Sequence, residues 1–205
     1  MIKFSQGKEQ DYIDFYFGDR VLTVLSIGEN DGELFSNVRA RLLNGSNGVL
    51  VEPAPIAFDK LQIRYSERDD VVCVKAAISN YTGTAKFYDS GAHVSEADSS
   101  LLSSLNKAEI KRWGNTATFE EIEVNVITFE QLMKLSPYDK FQLVSIDIEG
   151  EELNVLPQMD LKELGVEMLI VEFNGKDKDK FDNLVLPQGY NLFYQNAENL
   201  LYVKN

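Results

Sequence analysis

The chain has 205 residues, 33 of them acidic and 20 basic, for a formal net charge of -13. That balance argues against nucleic acid as a partner, because affinity for a phosphate backbone rests on clustered Lys and Arg. With 44% hydrophobic residues and only 5 Pro, one folded domain spanning residues 1–205 is expected rather than disorder. No apolar stretch approaches the length of a membrane span, and the first residues lead into polar sequence without a signal-peptide core, so a soluble, cytoplasmic protein is expected.

Residues 1–20 form a lead-in. The apolar run Val21 to Ile27 then reads as a first buried strand, and further runs at Gly48–Val51, Val71–Ala77, Leu143–Ile146 and Met168–Val171 read the same way. Helical spacing separates them: Leu34, Val38 and Leu42, then Phe58, Leu61 and Tyr65, later Leu153 and Leu156. Strand and helix therefore alternate, which predicts an α/β fold with a mostly parallel, Rossmann-like sheet covered on both faces. Cys73 reads as a buried strand residue, and a lone cysteine with a lone histidine argues against a zinc site.

The middle departs from this alternation. Thr84–Tyr88 and Phe119–Val126 predict an inserted hairpin-like element. The polar segment 89–116 between them is expected over the C-terminal edge of the sheet, where it could face substrate through His93, Lys111, Arg112 and Trp113. At the end, Tyr190–Tyr194 and Leu200–Val203 read as an antiparallel hairpin.

Two constellations carry chemistry. After the first strand come Ser26, Gly28, Glu29, Asn30 and Gly32, and the second apolar run closes on Glu52 and Pro53. A glycine turn lets a cofactor approach the backbone, and an acid ending the second strand can accept hydrogen bonds from ribose hydroxyls. Asn30 stands where a dinucleotide site has its middle glycine and would crowd a pyrophosphate, so a phosphate-free cofactor, S-adenosylmethionine, fits better than a nicotinamide dinucleotide. Ala77 and Ile78, beyond the third strand, are placed beside the adenine. The second constellation is Asp147 and Glu149 beyond a buried strand, with Glu172 closing the next one. In an open α/β sheet these acids face the same crevice. They could orient or deprotonate an acceptor, or hold Mg²⁺ through oxygen ligands, and the sequence leaves that choice open. For Glu149, Glu151 and Glu152, a place in the first helical turn is the competing structural reading.

At these residues the chain resembles the FkbM-type family of S-adenosylmethionine-dependent methyltransferases. The family pattern D-x-G-A-N-x-G is met by Ser26 to Gly32, its acid-proline pair by Glu52-Pro53, and K-I-D-x-E-G-x-E by Ser145 to Glu152. Phe4 to Gln6, Gln10-Asp11, Ser36-Asn37 and Ser99 to Leu101 extend the similarity. The resemblance implies a class I methyltransferase fold and methylation of a hydroxyl on a small molecule or glycan. The first-strand acid of the family is Ser26 here, its alanine is Glu29, and its lysine is Ser145. Glu29 could supply the acid from the neighbouring position. The same departures motivate the alternative, a non-catalytic binding protein on this scaffold. The acceptor and the oligomeric state are not readable from the residues.

Overall fold

The computed structural model describes residues 3–91, 100–113, 115 and 117–205. In chain order the elements are α1 (Glu9–Phe17), β1 (Thr23–Ile27), α2 (Arg39–Leu43), β2 (Asn47–Val51), α3 (Pro55–Arg64), β3 (Val71–Val74), β4 (Ala77–Ile78) and β5 (Gly83–Ser90). There follow α4 (Lys107–Trp113), β6 (Phe119–Ile127), α5 (Phe129–Leu135), β7 (Leu143–Ile146), α6 (Glu152–Val155), β8 (Met168–Glu172), α7 (Lys178–Val185), β9 (Tyr190–Gln195) and β10 (Asn199–Lys204). Among the described residues the strands form two sheets, one in the order β3-β2-β1-β7-β8-β10-β9 and a smaller one in the order β4-β6-β5.

The large sheet is parallel from β3 to β8, and β10 runs antiparallel between β8 and β9. Both of its faces are covered, which is why its central strands are continuous apolar runs instead of alternating ones. Successive side chains point to opposite faces. Leu25, Ile27, Val144, Ile146, Leu169 and Val171 fill one core, while Val24, Leu50, Leu143, Met168, Ile170 and Leu201 fill the other beneath α1, α2 and α3. A third apolar cluster, with Ala54, Ala57, Phe87 and Val126, ties the small sheet to α3.

Local chemistry sets several boundaries. Pro55 occupies the first turn of α3, where its fixed φ suits a helix and its missing N–H costs nothing. At α5, Thr128 Oγ1 accepts from Gln131 N while Gln131 Oε1 accepts from Thr128 N, a reciprocal capping box.

Four expectations are corrected. The run Val71–Ala77 is not one strand: β3 stops at Val74, opposite Val51, because β2 ends there and offers no further partner, and Ala77–Ile78 pair with Val126–Ile127 in the small sheet. The first strand begins at Thr23, leaving Val21 exposed. Leu34 is not helical. Asp31 Oδ1 accepts from Glu33 N and Leu34 N, and Phe35 sits at φ 59, so turns occupy the stretch before α2. Finally, Glu149 lies outside the following helix, which begins at Glu152 with Glu151 as its N-cap. Cys73 is in β3 as expected but only half-buried, and burial with the nearby Glu29 charge pushes its thiol up to about 11, so it is not a nucleophile.

The inserted hairpin and the terminal hairpin match expectation. β5 and β6 pair antiparallel from Gly83↔Val126 to Ser90↔Phe119, and β9 pairs β10 with an irregularity between Leu201 and Tyr202.

Candidate active site

At the end of β1 the chain turns sharply against its neighbours. Gly28 N and Glu29 N both donate to Val51 O at the end of β2, and Asp147 N donates to Ile27 O. Gly28 has φ 84, and a Cβ there would lie 2.7 Å from the Asp147 carbonyl carbon and closer still to its oxygen. Only glycine allows this crossing of two strand ends. Asn30 follows at φ 53, and its N–H donates to Glu52 Oε2 at 2.9 Å, while Ala54 N donates to Glu52 Oε1 at 2.8 Å. Glu52 therefore braces the glycine turn as well as facing the cavity.

A cavity of about 790 Å³, including the open space at its mouth, sits over the C-terminal ends of β1, β2 and β7. Ser26, Gly28, Glu29, Asn30, Glu52, Pro53, Ala77, Ile78, Asp147 and Glu149 all line it. Gly32 does not. At φ 75 it packs against α3, where a Cβ would meet Leu61 Cδ1 at 2.6 Å, so its part is in the turn and not in the cavity wall. Glu172 lines a second cleft instead, with Glu152, Phe173, Asn174, Lys176 and Phe181. His93 and the Trp113 side chain lie outside the described residues.

Between the two spaces stand Asp147, Glu149 and Glu172, whose carboxylate oxygens lie within 4.8 Å of one another. At that spacing Asp147 and Glu172 can share one proton between their carboxyl groups. Burial raises Asp147 to about 6, opposed by its pairing with Glu172 and helped by the Glu9 charge. Glu172 is pushed well above the carboxylate range by burial and then by repulsion from Asp147, Glu149 and Glu152. The spacing suits a shared proton or an oxygen-ligated cation, and nothing in it selects Mg²⁺.

Several residues at the site carried no role in the sequence reading. Ser36 Oγ donates to Glu29 Oε1 at 2.6 Å, and Asn37 Nδ2 donates to Ser145 Oγ at 3.1 Å. Ser100, Ser103 and Leu105 from the inserted segment, with Phe87 of β5, also line the cavity. Glu9 is fully buried, accepting from Gly7 N and from Asn196 Nδ2 and Asn199 Nδ2. The Ser36-Asn37 pair was visible as part of a motif, but the Glu9 contacts span 187 and 190 residues and leave no local signal. Left-handed backbone at non-glycine positions also gathers here. Asn30, Phe35, Ser100 and Glu149 line the cavity, and Asn174 and Asp177 border the second cleft. Such conformations are strained and persist where surrounding structure holds them.

Burial raises Glu29 to about 7, Glu52 to about 8 and Glu152 to about 7. Each folded value lies above the ordinary one, so the folded state holds protons that the unfolded chain releases. Stability from these groups is complete below about pH 4 and is lost as pH rises through about 6 to 8. The ligand-free protein should therefore melt at a higher temperature at about pH 5 than at about pH 8, Glu29 alone contributing about 3 kcal/mol to the difference. Glu29→Gln should flatten the profile, and a melting temperature that climbs between these pH values would contradict the assignment.

A doubly covered sheet in this order, closed by a reversed terminal hairpin and opening on its cavity at the parallel strand ends, defines the class I S-adenosylmethionine-dependent methyltransferase fold. The chain belongs to the methyltransferase FkbM domain family, whose sequence model matches residues 26–194. Among solved structures it is similar to a precorrin-6y C5,15-methyltransferase from Geobacter metallireducens GS-15, with TM-score 0.52 and 11% identity over 100% of this chain and 93% of that one. It is also similar to a ribosomal protein L11 methylase from Lactobacillus delbrueckii subsp. bulgaricus, with TM-score 0.50 and 10% identity over 97% of this chain and 78% of that one. At these identities the likeness is one of fold. Among curated proteins no sequence match was found. Among the described residues no helix is long and apolar enough to cross a membrane.

Proposed function

We propose that the protein transfers a methyl group from S-adenosylmethionine to a hydroxyl of a small molecule or glycan. The observation that carries this reading is one cavity lined both by the bracing acid Glu52 with the glycine turn and by Asp147 and Glu149. The residues suit the cofactor: Gly28 admits a ligand close to the backbone, Glu52 keeps lone pairs beyond its two backbone bonds for ribose hydroxyls, and Ala77, Ile78 and Phe87 offer apolar surface for a base. When bound, the cofactor supplies an electrophilic methyl on a sulfonium.

The work of the chain is to hold and deprotonate the acceptor. A hydroxyl is a weak nucleophile until its proton is accepted, and a carboxylate with raised proton affinity is matched to that task. Asp147 fills this role, with Glu149 orienting the hydroxyl and Glu172 taking up the proton it shares with Asp147. The inserted segment 89–116 contributes acceptor contacts, its described part already reaching the cavity through Ser100, Ser103 and Leu105.

Calorimetric titration with S-adenosylhomocysteine, S-adenosylmethionine and NAD tests the cofactor assignment. The adenosyl ligands should bind and NAD should not. Glu52→Ala should weaken adenosyl binding by about 1–3 kcal/mol, since it removes two hydrogen bonds from the ribose hydroxyls. Unchanged affinity would place the ribose elsewhere. A second reading, a binding protein without turnover, is favoured by Ser145, whose hydroxyl is engaged by Asn37 where the family carries a lysine. It predicts cofactor binding with no methyl transfer to any acceptor.

A further inference from the structure

The outer face of α1 is aromatic where a solitary chain would present polar residues to water. Phe15 is 80% exposed on this face, about one helical turn from half-buried Tyr12. Tyr12 in turn meets Phe193 of β9 edge-on at 5.6 Å and Tyr194 at 4.2 Å, and Tyr16 meets Phe193 at 6.4 Å. Phe193 is itself exposed. Single exposed apolar residues are ordinary, but a contiguous aromatic patch with a polar rim marks an interaction surface, and rings of this kind dominate the cores of interfaces.

The patch is shaped for side-chain packing and not for adding a strand. β9 is an edge strand, but its register with β10 shifts between Leu201 and Tyr202, which leaves Phe193 as the extra residue of a bulge, and bulged edges resist further pairing. Charge then selects the occupant. The chain carries a net charge of -13, yet Tyr190–Gln195 contains no charged residue, so two acidic copies can approach here with little repulsion. Around the patch Asp11 is engaged by Lys3, Asp14 by Arg41 and Arg20 by Glu167. Lys8, just before α1, and Asp19, just beyond it, are both exposed, and neither forms an ion pair with another described residue. If two α1 helices lie antiparallel with the two-fold axis between Tyr12 and Phe15, residues equally distant from the axis meet. Tyr12 then faces the partner's Phe15 and Lys8 faces the partner's Asp19, and each contact occurs twice.

We propose that this face binds a second copy of the chain, forming a two-fold dimer through antiparallel α1 helices flanked by Phe193 and Tyr194. The proposal stands independently of the methyl-transfer reading. With nine residues, α1 is about 13 Å long, short beside the faces of obligate dimers, so association is reversible with a Kd of about micromolar order. The contact grips both ends of the chain at once. Glu9, on the inner side of α1, already accepts from Asn196 and Asn199 at the turn between β9 and β10, and the second copy packs over the outer side of the same two elements.

Sedimentation velocity of the intact chain from about 1 to about 300 µM tests this, and the mass should pass from that of one chain to that of two within the range. Phe15→Ser should weaken the dimer at least about 10-fold while leaving the melting temperature of the monomer unchanged, because the side chain it removes is exposed there. Lys8→Glu sets like charges opposite each other at two places and should weaken association about 10-fold, as should Asp19→Lys. The combined Lys8→Glu and Asp19→Lys variant restores opposite charges and should return affinity to within about threefold of wild type. A chain that stays monomeric throughout leaves the patch to a different partner and overturns the proposal. A dimer that survives Phe15→Ser, or a double variant no tighter than the single ones, overturns it as well, since the contact then lies elsewhere or in another register.

Discussion

Gly28→Ala should leave the protein largely unfolded or reduce its stability by about 3–5 kcal/mol, a large share of the ~5–15 kcal/mol typical of a domain. Two costs add. The residue sits at φ 84, where an L side chain is strained, and its Cβ would press into the Asp147 carbonyl at the end of the adjacent strand. Neither group can retreat cheaply, because Asp147 N is itself bonded to Ile27 O and Gly28 N to Val51 O. A larger cavity or a shifted loop cannot relieve a clash between two backbones. Chemical denaturation measures the loss, and soluble protein with wild-type stability and cofactor affinity would show that the β1–β7 crossing is looser than its geometry indicates.

Asp147→Asn should lower methyl transfer by about 10²- to 10⁴-fold, the usual span for removing a positioned general base, with cofactor affinity preserved within a few-fold. Asparagine matches the shape of the acid but accepts no proton. In wild type the rate should rise with pH through about 6, as the ionised form of Asp147 accumulates. The sign follows from the role: a base works deprotonated, so activity is lost on the acid side. This is opposite to the stability trend, and the protein should be most active where its ligand-free form is less stable. Turnover by the asparagine variant equal to that of wild type, with the same pH profile, would remove Asp147 from the chemistry.

Much of the large sheet was legible because strands buried on both faces must be apolar throughout, and such runs stand out between polar turns. The glycine turn was legible for a different reason: close approach of strand ends restricts residue type, and Gly28 and Glu52 carry that restriction in the sequence. What escaped reading depends on partners. The apolar run from Val71 continues past the strand, since β3 ends where β2 stops offering hydrogen bonds and not where hydrophobicity stops. Leu34 kept helical spacing with Val38 and Leu42, yet the Asp31 side chain captured the backbone first. Gly32 looked like cavity wall by spacing alone, but its neighbours are Leu61 of α3 and Tyr65, which caps that helix. Glu9 belongs to the lead-in and acquires its place only when Asn196 and Asn199 arrive from the other end of the chain.

The parallel pairing of Ala77–Ile78 with Val126–Ile127 has an evolutionary consequence. The chain leaves the first half of the large sheet at Ile78 and comes back at Ile127 one strand spacing away, about 4.8 Å. Whatever lies between is closed by that pairing, and lengthening it costs little, about 0.6 kcal/mol for each doubling. The roof of the cavity, with Phe87, Ser100 and Leu105 in it, can therefore be lengthened or shortened as a cassette without disturbing the strand ends that form the opposite wall.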